Sequence, residues 1–198
     1  MSTLKVNTIQ RTASGWLDYK SDNHSIKDQD AGDAFIVCNH DAAVDLFYDG
    51  AKKLETTSTG ISITGRIATS AQPAFRATKG GTGFTHSAGT VPYSNEVFDK
   101  NNDYDGTDTF TAPVDGVYLF MSSIMVKHGG AGEEHHFQVN GSNANKTQWY
   151  SAGGSNTWDN NDMVCILNLS ASDTVRVYVN DADLHGGIYM HFSGYLLG

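Results

Sequence analysis

Three aspartates crowd the segment NNDYDGTD (101–108): Asp103, Asp105 and Asp108. Carboxylates at this spacing in a loop are the oxygen donors that a hard cation such as Ca2+ takes. The acidic residue that closes an EF-hand loop is missing, so turn-forming aspartates are the first reading and a Ca2+ ligand set the second. EEHH (133–136) offers imidazoles, but on a strand Glu133 and His135 share one side while Glu134 and His136 share the other, so they do not make one ligand set within a chain. KGGTGFT (79–85) has glycines but lacks the Gly-Lys-Ser/Thr ending of a phosphate loop, and reads as a surface loop. No nucleophile elbow, HExxH motif or scaffolded carboxylate pair stands out, so catalysis is not expected. The chemistry that remains is recognition. TQWYSAGGSNTWDNND (147–162) sets Trp149, Tyr150 and Trp158 around Gly, Ser and Asn, where flat rings stack and amides bond hydroxyls, as a sugar or protein ligand requires. A competing reading puts both tryptophans in a core or a subunit seam. His185, in ADLHGG (182–187), is a second candidate ligand contact.

The elements that must position these residues are strands. The hydrophobic fraction is 39%, with abundant Gly, Ser, Thr, Asn and Asp, and no apolar i, i+3, i+4, i+7 run is sustained over three turns. Up to Gly65 the strands are short and polar: AFIVCN, VDLFYDG, KKLETT and GISITG, the last with Ile61 and Ile63 on one face. Asp49-Gly50 is a tight-turn dipeptide between two of them. Each strand holds so few apolar residues that the segment buries too little area to fold alone, and its cheapest partners are copies of itself. From Gln72 onward the strands are richer. In DTVRVYVN, Val175, Val177 and Val179 point one way, Arg176 and Tyr178 the other. Strands recurring about every 8–12 residues predict a sandwich or jelly roll. The domain division expected is 1–71, a short β-rich segment, and 72–198, a jelly-roll head.

A formal net charge of −9 argues against nucleic-acid binding, which needs clustered Lys and Arg. Cys38 and Cys165 are far apart and flanked by apolar residues, so both are expected as buried small hydrophobes. MSTLKVNTIQ lacks the apolar core of a signal peptide, and no stretch approaches a membrane span, so neither secretion by the usual route nor membrane insertion is expected.

Residues 74–198 resemble the C1q/tumour-necrosis-factor-like head, a jelly roll that assembles as a tight trimer. The resemblance rests on PAF (73–75), Phe98 in EVFD, the series Phe110, Gly116, Tyr118, Phe120, and HFSGYLL (191–197) with Phe192 and Gly194. These positions are implied to be structural core. Two departures stand out: Tyr104 approximates an aromatic at shifted spacing, and Ser122 stands where another aromatic is usual. The resemblance also admits Ca2+ near a trimer axis; otherwise no cofactor is expected. AAVDLFYDGAKKLETTSTGISITG (42–65) is similar to a repeat of tail-fibre and related virion proteins of tailed phages, notably those of marine cyanobacteria. STLKVNTIQ, with Leu4, Val6 and Ile9, is similar to the start of such proteins, where this end docks on the virion. The resemblances together imply an all-β homotrimer: a short intertwined N-terminal shaft that anchors to other virion proteins, and a head that binds a glycan or protein of the host surface. Such a protein is made in the host cytoplasm and released by lysis. The alternatives are a capsid-decorating head fibre and, from a different class, a polysaccharide-degrading spike.

Overall fold

A computed structural model describes residues 23–27, 33–69, 71–81, 84–86, 88–127, 134–150, 158–180, 182–185 and 187–198; the side chains of 84–86, 127, 145–150, 159 and 182–183 lie outside that description. Leu4, Val6 and Ile9 are outside the described residues. The chain divides into two compact units, Met1–Ala68 and Thr69–Gly198, and the described residues are all β, with no helix.

The first unit is a single five-stranded antiparallel meander in the order β1-β2-β3-β4-β5: β1 (Asn23–Lys27), β2 (Ala34–Asn39), β3 (Val44–Tyr48), β4 (Ala51–Thr57) and β5 (Gly60–Ile63). Asp49 (φ 51°) and Gly50 (φ 68°) join β3 to β4. Both central residues take positive φ, as a hairpin turn matched to strand twist demands. Among its described residues only Asp45 is buried, and its carboxylate meets Lys52 Nζ at 3.0 Å. Among those residues the sheet has no second layer of its own.

The second unit is a jelly roll of two packed antiparallel sheets. The larger holds β6 (Ala74–Lys79), β7 (Phe84–His86), β9 (Asn95–Asp99), β11 (Gly116–Lys127), β14 (Trp158–Leu169), β16 (Ala182–Leu184) and β17 (Gly187–Leu196). Its order is β7-β16-β11-β17-β6-β9, with β14 pairing along the length of β11. The smaller runs β10 (Phe110–Thr111), β15 (Thr174–Val179), β12 (Glu134–Val139), β13 (Ser142–Tyr150), with β8 (Gly89–Thr90) beside β15.

Alternation along these strands builds the core between the sheets. Val175, Val177 and Val179 turn inward from β15, and Tyr118, Phe120, Ile124 and Val126 from β11. Eight aromatic rings meet there: Phe75, Tyr93, Tyr104, Phe110, Tyr118, Phe120, Phe137 and Phe192. Phe75 stacks on Tyr104 at 4.9 Å and on Phe110 at 5.1 Å, and meets Phe192 edge-on at 4.9 Å. At roughly 1.5–3 kcal/mol for each large apolar side chain buried, this unit has a folding drive that the described residues of the first do not show.

Two expectations need correction here. Phe98 is not in the core: it lies on β9, at the edge of the sheet opposite Arg76, and is 47% exposed. Tyr93 and Tyr104, from the irregular segments on either side of β9, fill the interior in its place. The cysteines are only half-buried, although burial is enough to push the Cys165 thiol up to about 12.

Candidate binding surface

The outer face of the larger sheet, turned away from the core, is built by the alternate residues of β11, β14 and β17. At one end it is apolar. Leu119 lies between Ile166 and Tyr195, and Met121 between Val164 and Ser193. Val164 and Ile166 are 62% and 63% exposed, a high value for β-branched aliphatics standing side by side. The middle of the face is polar. Ser123 sits between Asp162 and His191; its hydroxyl donates to Asn160 Oδ1 at 3.1 Å, and Asn160 Nδ2 donates to Asp162 Oδ1 at 3.0 Å. Burial and the nearby Arg76 charge hold the His191 imidazole below its ordinary pKa, with Asp162 opposing them.

The far end is aromatic. Trp158 opens β14 opposite Lys127, the last residue of β11. His185 follows β16, and its backbone N–H donates to Met125 O at 2.8 Å. Gly187, at φ 83°, then lets the chain turn back into β17, which carries Tyr189. The rings meet edge to face, Trp158 on His185 at 5.0 Å and His185 on Tyr189 at 5.1 Å. Such contacts fix the rings against each other while leaving ring surface open to solvent. Trp158 and Tyr189 are exposed, as is Ile188 beside them. Flat open rings next to the Asn160 and Asp162 side chains suit a ligand with one apolar face and hydroxyl or amide groups at its rim.

Of the four expected ligand contacts, the fold joins Trp158 to His185. Trp149 and Tyr150 belong to the other sheet, in β13, opposite His135 and Glu134, and their side chains lie outside the described residues. Tyr189 is a member that sequence reasoning missed. Its signal was the alternation Tyr189, His191, Ser193, Tyr195, which marks one face of a strand.

The aspartate loop is held as a turn by its own backbone. Asp105 Oδ1 accepts the backbone N–H groups of Thr107, Asp108 and Thr109 at 2.8, 2.9 and 3.1 Å. Burial pushes this carboxyl up, but those bonds outweigh it and hold the pKa low. Asp108 accepts from the Thr109 hydroxyl. Asp103 turns toward Asp99, and burial together with that neighbouring charge raises its pKa. These aspartates shape a turn, and among the described residues no three His, Cys, Asp or Glu side chains gather as a metal group.

His135 and His136 are both buried, on opposite faces of β12. His136 is covered by Tyr178, stacked at 5.0 Å. His135 faces the core, its Nε2 3.1 Å from Ser122 Oγ, which is itself 3.1 Å from Tyr93 OH. This serine–histidine pair is sealed, each residue at 1% exposure, so it has no route to a substrate.

Comparison with known proteins agrees with this architecture. The family model described as "C1q domain" matches residues 74–197. The globular domain of zebrafish complement 1qA protein is similar at 17% identity and a TM-score of 0.53, over 64% of this chain and 98% of that one. Murine APRIL is similar at 10% identity and a TM-score of 0.51 (pH 8.5), and at 11% and 0.53 (pH 5.0), each over 64% of this chain and 99% of that one. No curated protein sequence matches the chain. Domains of this kind are generally binding modules without enzymatic activity, and they typically form homotrimers. An aromatic-filled jelly roll with this strand order, matched over residues 74–197, places the chain in the C1q domain family.

Proposed function

We propose that this chain is a homotrimeric attachment protein of a tailed phage, a fibre or fibre-like component whose C1q head binds a glycan or protein on the host surface. The observation that carries the reading is the open aromatic cluster Trp158–His185–Tyr189 at one end of a sheet face whose other end is an exposed apolar stripe. The stripe of Leu119, Met121, Val164, Ile166 and Tyr195 suits a threefold seam. The cluster suits a ligand. Three identical clusters on one particle turn a weak single contact into firm attachment. The similarity of residues 42–65 to phage fibre repeats supports a virion setting, with Leu4, Val6 and Ile9 as the docking segment. Binding in this reading needs no cofactor, and the protein reaches the virion from the host cytoplasm, to be freed by lysis.

Native mass determination of the untagged chain tests the assembly: a trimer is expected, and a monomer at micromolar concentration would sink the reading. Immunogold labelling of intact particles with antibodies to residues 74–198 tests the setting. Gold at the tail or its fibres is the expected result. Gold spread over the capsid would make the chain a decoration protein instead.

A further inference from the structure

The first unit carries a feature that its described residues do not use. The strand registers align one residue from each strand into a single row across the sheet: Ile26 opposite Ile36, Ile36 opposite Leu46, Leu46 opposite Leu54, and Leu54 opposite Ile63. All five are uncharged aliphatics on one face, and Ile26, Leu46 and Ile63 are 59%, 37% and 40% exposed. The neighbouring row on that face is mixed: His24, Cys38, Val44, Thr56 and Ile61. The opposite face carries the charges: Asp45 lies across from Glu55, and Lys52 Nζ reaches both at 3.0 Å. The charges are gathered on that face, beside Val37 and Phe47, and the aliphatic row on the other face calls for a cover that the described residues of this unit do not supply.

We infer that the ladder Ile26–Ile36–Leu46–Leu54–Ile63 is the axial lining of a three-sheet prism, covered by the same ladder from two further copies of this chain. The inference rests on the trimeric reading proposed above. Three observations select a second copy as the occupant. The sheet is joined to a C1q head by a short stretch of chain, so a trimeric head holds three ladders at high local concentration. The row is uniformly aliphatic, without a charge or a hydrogen-bonding group that a foreign partner would have to match, so it complements itself. The Asp45–Lys52–Glu55 cluster lies on the reverse face, and turning that face to an axis would gather three copies of its charges in a desolvated contact, so the aliphatic face is the one that turns inward.

The test uses the full chain with Leu46→Cys in a Cys38→Ala background, and Ser62→Cys as its control on the charged face. Leu46 lies on β3, the middle strand, where three sheets approach an axis most closely. In a chain of trimeric mass, maleimide labelling of L46C is expected to run about 100-fold slower than that of S62C, because it must wait for local opening. Mild oxidation is expected to yield disulfide-linked pairs. A trimer in which L46C labels as fast as S62C overturns the ladder assignment and leaves the trimeric head standing. A monomeric mass overturns both. Protection without cross-links, abolished by deleting residues 1–22, overturns it in favour of a cover from the same chain. Should L46C disturb assembly, hydroxyl-radical footprinting of the unaltered chain at Leu46 and Leu54 decides the same question: protected side chains support the prism, and oxidation at the level of exposed aliphatics rejects it.

Discussion

Ser122 stands on β11 two residues beyond Phe120, where alternation leads one to look for a third aromatic, and it is the hinge of a buried polar chain instead. Its hydroxyl lies between Tyr93 OH and His135 Nε2, and Tyr104 OH donates to Tyr93 O at 3.0 Å. Polar atoms in such a place are tolerable only while partnered. The consequence for His135 is measurable: burial, with the adjacent His136, pushes its pKa down to about 3 from 6.5. A histidine depressed in the folded state keeps its full contribution above pH 6.5 and loses it as the pH falls toward the folded value. Stability should therefore drop by about 2 kcal/mol between pH 7 and pH 5, before the carboxylates titrate, at about 1.4 kcal/mol per unit below 6.5. Urea unfolding at the two pH values checks this, and His135→Gln should flatten the slope. Gly194 makes a second test at this scale. A Cβ there would stand 2.5 Å from Phe75 Cε1 and 2.7 Å from Phe120 Cε1. Since both rings are locked in the core, Gly194→Ala should cost about 1–3 kcal/mol through overpacking, read as a lower thermal midpoint.

At the scale of elements, turns and alternation were the legible part. Asp49-Gly50 marked the β3–β4 turn in advance, and Asn140-Gly141, with φ of 51° and 77°, closes β12 onto β13 by the same rule. The valines of β15 point inward as their spacing predicts. Phe98 was misread because alternation tells which residues share a face, not which face is inside; that depends on the register of β9 against β6, set by a bulge between Arg76 and Ala77. The same limit hid the outer face of the larger sheet, whose apolar stripe exists only once β14 and β17 flank β11. Ile166→Asp should break the seam proposed there, because it leaves an unpaired charge in a desolvated contact. Sedimentation at micromolar concentration should then show monomers that keep the far-UV spectrum of the parent. An unchanged trimer would place the seam elsewhere.

At the scale of the whole molecule, the aromatic cluster could not have been assembled from the sequence. Trp158 and His185 were each visible as aromatics beside glycine, asparagine or aspartate, yet their meeting requires β14 and β16 to approach β11 from opposite sides, a long-range pairing that no local pattern encodes. The C1q head was legible because its aromatic spacing is itself local. If the cluster is the contact with the host, Trp158→Ala should cost about 2 kcal/mol at each site. Three linked sites multiply that loss, so binding of labelled trimer to host cells should fall well beyond 10-fold, with trimeric mass and thermal midpoint unchanged. Equal binding by the variant would move the contact to another surface.

The strand order carries one more consequence. β17, which follows every other strand of the head in sequence, occupies the place between β6 and β11. During synthesis the earlier strands must therefore wait with a gap in the middle of their sheet until residues 187–196 arrive to fill it. A chain halted before Gly187 has Phe192 and Gly194 missing from the core and two open strand edges, the state most prone to aggregation. The first unit has no such delay, because each of its strands pairs with the next one made. The outer face is likewise incomplete until then, because Tyr189, His191 and Tyr195 all come from β17, so whatever that face binds can be met only by a chain whose translation has passed that point.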